Sequence, residues 1–80
     1  MDVHAEITEM IIKLLAVEAN EVVSEAHLQD DLGADSLALL NLAEAIAKRY
    51  EIDIDSDDLV DIENLGELLE LVQSRISLKG

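Results

Sequence analysis

Residues 33–50 read GADSLALLNLAEAIAKRY. Within this run Leu39, Leu42, Ala43, Ile46 and Tyr50 recur at i, i+3, i+4, i+7 and i+11. That spacing gathers the apolar side chains on one face of an α-helix. Asp35 stands directly before the run and is a candidate N-cap, because its carboxylate can accept from the unpaired N–H groups of a first helical turn. Lys48 and Arg49 close the last turn, where cations suit the negative end of the helix dipole. The pattern predicts a helix over 35–50.

Working outward, Val3, Ile7, Met10, Ile11, Leu14 and Leu15 form a second apolar stripe. It predicts a helix from Val3 to Ala16, capped by Asp2, with Glu6 and Glu9 on the wet side. Between the two helices, Val17 to Ala34 has no sustained period, and 18 residues is long for a connection in a small domain. Val22, Val23, Leu28 and Leu32 are the expected anchors of this loop, with one short helical turn near Glu21 to Ala26. On the C-terminal side Ile52 and Ile54 alternate with Asp53 and Asp55, and Ser56 can cap a turn over Asp57 to Ile62. Asn64 with Glu67 three residues on resembles a capping box. It opens a last helix carrying Leu65, Leu68, Leu69, Val72 and Ile76 on one face. Gly66 in its first turn is a mild penalty, and Ser77 to Gly80 is expected to fray. The fold class is therefore all-α: a small four-helix bundle with three main helices, a short third helix and a long first loop, forming one domain over 1–80.

Composition limits the function. The 80 residues include 19 Asp and Glu against five Lys and Arg, a net charge of −14. Such a chain is a poor partner for nucleic acid, whose phosphates need clustered cations. Half of it is hydrophobic, too much for a disordered chain. Without cysteine there is no disulfide, thiolate metal site or sulfur nucleophile, which favours a reducing, cytoplasmic setting. No apolar run approaches a membrane span, and the acidic start is unlike a signal peptide. Tyr50 is the sole aromatic residue and proline is absent. A small aliphatic core cannot enclose a large enzyme pocket, so the chain is a binding module or owes its chemistry to an attached group. The Met1 start and short tail favour a free-standing product, expected to be a monomer.

The most informative stretch is Asp31-Leu32-Gly33-Ala34-Asp35-Ser36-Leu37. It places a hydroxyl in the first turn of a helix, just after a glycine-bearing bend. A phosphate on Ser36 would be well placed against the N–H groups and positive dipole end there. From spacing alone, Asp35 or Ser36 acting simply as a cap is the commoner role.

The run Leu32-Gly33-Ala34-Asp35-Ser36-Leu37 resembles the phosphopantetheine attachment motif of acyl carrier proteins, whose core is Asp-Ser-Leu. The likeness extends over nearly the whole chain: its size, its acidity, the long first loop, and Ile52, Ile54 and Ile62 flanking a short third helix. The resemblance implies a four-helix bundle without catalytic activity. It implies a 4'-phosphopantetheine arm joined to Ser36 by a phosphopantetheinyl transferase, with Gly33, Asp35 and Leu37 completing the attachment site. Acyl-processing enzymes would be the partners and an acyl thioester the cargo, for fatty acid or specialised lipid or polyketide synthesis. Ile46, Ile54, Leu59, Ile62 and Leu68 are the expected wall of an acyl-chain pocket. The acidic candidates for partner docking are Asp30, Asp31, Asp35 and Glu44, with Asp57, Asp58 and Asp61 further on, beside Leu37. Relatives often carry acids two and five positions after the serine, where this chain has Ala38 and Asn41, and many are acidic where Lys48 and Arg49 stand. A dedicated set of partners is one reading of that departure; neutralisation of the helix end is the other.

Two rival functions remain. One is an aminoacyl or peptidyl carrier, and the other is an unmodified acidic helical adaptor. Other motifs fail on inspection. Asp53-x-Asp55-x-Asp57 begins like a calcium loop, but Asp58 fills the position that needs glycine and Asn64 the one that needs glutamate. His4 and His27 have no second ligand at helical spacing. Ser36 lacks a Gly-x-Ser-x-Gly elbow and an identifiable base. The polar face of the first helix is too acidic to lie on anionic lipid.

Overall fold

The computed structural model describes residues 2–79. Four α-helices follow one another: α1 Val3–Leu15, α2 Ser36–Tyr50, α3 Ser56–Asp61 and α4 Leu65–Lys79. One 3₁₀ turn, Ala19–Glu21, lies in the first loop, and no strand occurs among the described residues. This is the all-α, four-helix arrangement that the periodicity predicts.

Helix α1 starts where Asp2 accepts the Ala5 N–H at 3.3 Å. It ends one residue before the predicted boundary because Ala16 turns left-handed, at φ 56°. Helix α2 buries Leu39, Leu42, Ala43, Ile46 and Tyr50, the whole predicted stripe. It packs on α1 and α3, and α1 also packs on α4. Ile7 and Ile11 of α1 and Leu65, Leu68 and Val72 of α4 are buried in the same core.

The first loop is pinned by its own apolar side chains, as expected, but by a different set. Val22, Ala26, Leu28, Leu32 and Ala34 are buried. Val23, expected among the anchors, is 47% exposed, because the chain bends at this point and only one of two adjacent valines can face inward. The expected helical turn lies earlier, at Ala19–Glu21. There the Glu18 N–H donates to the Glu21 carboxylate at 3.0 Å. The loop also serves α4: the Leu65 N–H donates to the Ala26 carbonyl at 2.9 Å and the Gly66 N–H to the Ser24 carbonyl at 3.0 Å. Two first-turn donors, which a helix itself leaves unpaired, are thus satisfied. Glycine fits at 66 because a Cβ there would lie 3.2 Å from Asn64 Oδ1 and 3.6 Å from the Ser24 carbonyl.

Three boundaries differ from expectation. Asp55, not Ser56, caps α3, by a reciprocal pair in which the Asp58 N–H donates to Asp55 and the Asp55 N–H to Asp58, both at 3.1 Å. The Asn64 cap is present, accepting the Glu67 N–H at 2.9 Å. Glu67, however, accepts from the Glu63 N–H at 2.9 Å, one residue before the position a capping box uses. Ser77, Leu78 and Lys79 continue α4 rather than fraying, since Lys79 Nζ donates to the Tyr50 carbonyl at 3.0 Å. Gly80 lies outside the described residues.

Candidate functional site at the start of α2

The bend before α2 is built residue by residue. Gly33 takes a left-handed conformation, φ 74°, which glycine adopts without the steric cost other residues meet. The Ala34 N–H donates to the Leu28 carbonyl at 2.8 Å, and the buried Ala34 side chain fixes the entry to the helix. Asp35 then caps α2, its Oδ1 accepting the Ala38 N–H at 2.8 Å. Upstream, His27 Nδ1 accepts the N–H groups of Gln29 and Asp30, both at 3.1 Å. Asp31 in turn accepts the His27 N–H at 2.8 Å. His27 therefore holds a turn together. No group of metal-ligating side chains occurs among the described residues.

The consequence falls on Ser36. With Asp35 holding the cap, the Ser36 hydroxyl makes no hydrogen bond among the described residues, and the residue is exposed. Leu37 beside it is 64% exposed. An open hollow of ≈ 290 Å³ adjoins this point, lined by Leu14 and Leu15 from the end of α1 and by Gly33, Asp35, Leu37, Ala38 and Asn41. A free, exposed hydroxyl at a helix N-terminus suits a phosphate-linked group, whose negative charge the first-turn N–H groups favour.

The expected acyl-pocket residues come together, but as a closed core: Ile46, Ile54, Leu59, Ile62 and Leu68 are all buried in one cluster. The expected docking acids fall into three groups. Asp30, Glu44, Asp57 and Asp61 are exposed. Asp31 and Asp35 are also exposed but accept backbone N–H groups. Asp58 differs from these, for it is half-buried and already engaged. Besides the α3 cap it faces the Arg75 guanidinium at 3.4 Å, and Arg75 also donates to the Asp53 carbonyl. The backbone N–H of Asp55, with the Arg75 bond second, holds the Asp58 carboxyl below its ordinary range.

Sequence reasoning missed Leu40 and Val60, which are 43% and 51% exposed. The available signal was their position, one residue beyond the buried Leu39 and Leu59 and so rotated off the core face.

The other end of α2 is engaged. Glu6, expected on the wet side of α1, is half-buried. Its carboxylate accepts from Arg49 at 2.8 Å and from the Tyr50 hydroxyl at 2.7 Å. The Arg49 guanidinium also lies 5.5 Å from the Tyr50 ring centre. Burial, with the Glu6 bond second, pushes the Tyr50 hydroxyl up to about 12.

Residues 5–72 match the family model described as the phosphopantetheine attachment site. The chain is 38% identical over 76 residues to an acyl carrier protein of Desulforapulum autotrophicum, covering 94% of this chain and 99% of that one. It is 32% identical over 78 residues to an acyl carrier protein of Amoebophilus asiaticus, covering 98% of each. The chain belongs to the acyl carrier proteins, the carriers that work through a phosphopantetheine group. Its role is thus to carry rather than to catalyse, in company with a transferase and acyl-processing enzymes. When bound, phosphopantetheine supplies a thiol at the end of a flexible arm, a group this cysteine-free chain does not contain. No described helix is long and apolar enough to cross a membrane.

Proposed function

We propose that Ser36 is the attachment point of the 4'-phosphopantetheine arm and that the chain carries acyl groups on it as thioesters. The observation that carries this reading is the division of labour at the start of α2. Asp35 makes the capping bond, so the Ser36 hydroxyl has no structural task and stands exposed inside the matched family region. An adaptor whose serine only caps its helix would need the reverse arrangement. Gly33 shapes the bend and Leu37 offers an apolar contact beside the arm.

The docking face centres on α2 and α3. It combines exposed Leu37, Leu40 and Val60 with the free acids Glu44, Asp57 and Asp61, and Asp30 extends it from the loop. Ala38 and Asn41 leave the first turns of α2 uncharged, and charge complementarity mainly sets encounter rate and partner choice. This carrier therefore serves partners whose docking patches are less basic than those of general fatty-acid enzymes, as a dedicated specialised-lipid or polyketide pathway would supply. The aliphatic core of Ile46, Ile54, Leu59, Ile62 and Leu68 is the wall that would part to shelter the acyl chain.

Intact-mass measurement after co-expression with a phosphopantetheinyl transferase tests the reading. A mass raised by one phosphopantetheine in the parent chain, and absent in Ser36→Ala, supports it. An unchanged mass in a folded parent chain refutes it.

A further inference from the structure

The hollow beside Ser36 has a composition that its neighbours do not explain. Asp35 and Leu37, the residues on either side of Ser36, both line it, so a group tethered to Ser36 starts close by. Leu14 and Leu15 at the end of α1 also line it, with Ala38 from the first turn of α2. Leu14 is 40% exposed, although it belongs to the apolar stripe that otherwise faces the core. Asn41, one turn beyond Leu37, also lines it, and its carboxamide can both donate and accept. At ≈ 290 Å³ and open to solvent, the hollow can lay a short segment of an arm along the surface rather than enclose a ligand.

Charge decides which part of an arm belongs there. The Asp35 carboxylate beside Ser36 repels a phosphodiester, and no cation lines the hollow. The phosphate is therefore better placed over the first-turn N–H groups of α2. What fits the hollow is uncharged: a branched aliphatic group against Leu14, Leu15 and Leu37, and an amide against Asn41. The pantetheine segment next to the phosphate offers a gem-dimethyl carbon and then an amide, in that order. The core between α2 and α3, by contrast, is already filled by Ile46, Leu59 and their neighbours, so an arm lying there would displace packed side chains.

We propose that the hollow between the end of α1 and the start of α2 is a resting seat for the uncharged pantetheine segment of the arm, held by Leu14, Leu15 and Leu37 and by the Asn41 carboxamide. The inference rests on Ser36 as the attachment point. The seat leaves the cargo end of the arm free, and it makes α1 a participant in presenting the arm. Leu14 contributes little to the core, so its exposure is retained for the arm rather than for stability.

The test compares apo and holo protein by NMR, with intact mass recorded on each sample. Methyl-labelled holo protein is expected to show NOEs from the gem-dimethyl protons of the arm to Leu14 and Leu37 methyls. The Leu14 and Leu15 amides and the Asn41 side-chain amide should shift as much as the Leu37 amide does. In Leu14→Asp, loading measured by mass should remain complete, while the NOE to α1 disappears or falls several-fold. Circular dichroism verifies the fold of the variant, and the parent comparison stands alone if the variant is unfolded. Fully loaded parent protein with shifts confined to residues 33–38 and no NOE to Leu14 overturns the seat while leaving Ser36 as the attachment point. A mass that never rises overturns both.

Discussion

The two ends of α2 are built to opposite specifications. At the C-terminal end Arg49, the Tyr50 hydroxyl and the Tyr50 carbonyl are all engaged. Glu6 of α1 receives both Arg49 and Tyr50, Glu51 closes the helix in a left-handed conformation at φ 54°, and Lys79 of α4 bonds the Tyr50 carbonyl. At the N-terminal end one carboxylate, Asp35, does the capping, while Ser36 and Leu37 stand open beside a hollow. The difference teaches how a carrier of this size reconciles rigidity with access. The helix is anchored at its C-terminal end, so the N-terminal end, where we propose that the arm attaches, can stay uncovered.

The largest effect should come from the middle of the helix, which both ends share. Leu42 and Ile46 are fully buried. Leu42→Ala or Ile46→Ala is expected to cost about 2–5 kcal/mol, the lost transfer energy plus that of a cavity. Urea unfolding followed by circular dichroism measures it, and a cost below about 1 kcal/mol would mean that α2 is not the hub of the core.

Next comes the anchored end. Tyr50→Phe removes a hydrogen bond to a carboxylate and is expected to cost about 1.5 kcal/mol near neutral pH. The same variant sharpens the comparison through pH. The Tyr50 hydroxyl is raised from 10.0 to about 12 in the folded chain, so between these values the folded state holds a proton that the unfolded state has lost. That contribution is complete below pH 10 and disappears as pH rises toward 12. The parent chain should therefore lose stability over that window more steeply than Tyr50→Phe. Equal slopes in thermal melts would show that the Glu6 contact does not hold the helix end.

Asp35→Ala acts at the open end and should cost about 1 kcal/mol, since it removes the cap on the Ala38 N–H. Because it frees that N–H beside Ser36, it also tests whether the cap orients the attachment site. Slower modification by the transferase, at protein concentrations where the variant is folded, is the expected result.

How much of this was legible in the sequence follows from the kind of force involved. The core face of α2 was readable because burial acts on a 3.6-residue period that the residue types repeat, and Leu39 through Tyr50 all fall where that period puts them. The bend and cap that open α2 were readable for another reason: Gly33 suits a left-handed turn and Asp35 an N-cap. The first loop was only half readable. Aperiodic burial offers no rule for choosing Val22 over Val23, and the service of Ser24 and Ala26 to the start of α4 runs through backbone carbonyls, which every residue possesses. The engagement of Glu6 and Asp58 was not readable, because their partners, Tyr50 and Arg75, lie 44 and 17 residues away. The hollow was invisible for the same reason, since it exists only where the end of α1 meets the start of α2.

The smallest effect on stability should come from Ser36, the proposed attachment residue. Ser36→Ala leaves the Asp35 cap intact, removes a hydroxyl with no hydrogen bond among the described residues, and puts the best helix former at the first helical position. Its stability should lie within about 0.5 kcal/mol of the parent, while incorporation of phosphopantetheine falls to nothing. Had Ser36 been the cap, the same substitution would cost about 1 kcal/mol, as Asp35→Ala should. Placing the two variants side by side in one urea titration therefore separates the structural residue from the functional one. A Ser36→Ala chain destabilised as much as Asp35→Ala would return the serine to a capping role and remove the asymmetry between the two ends of α2.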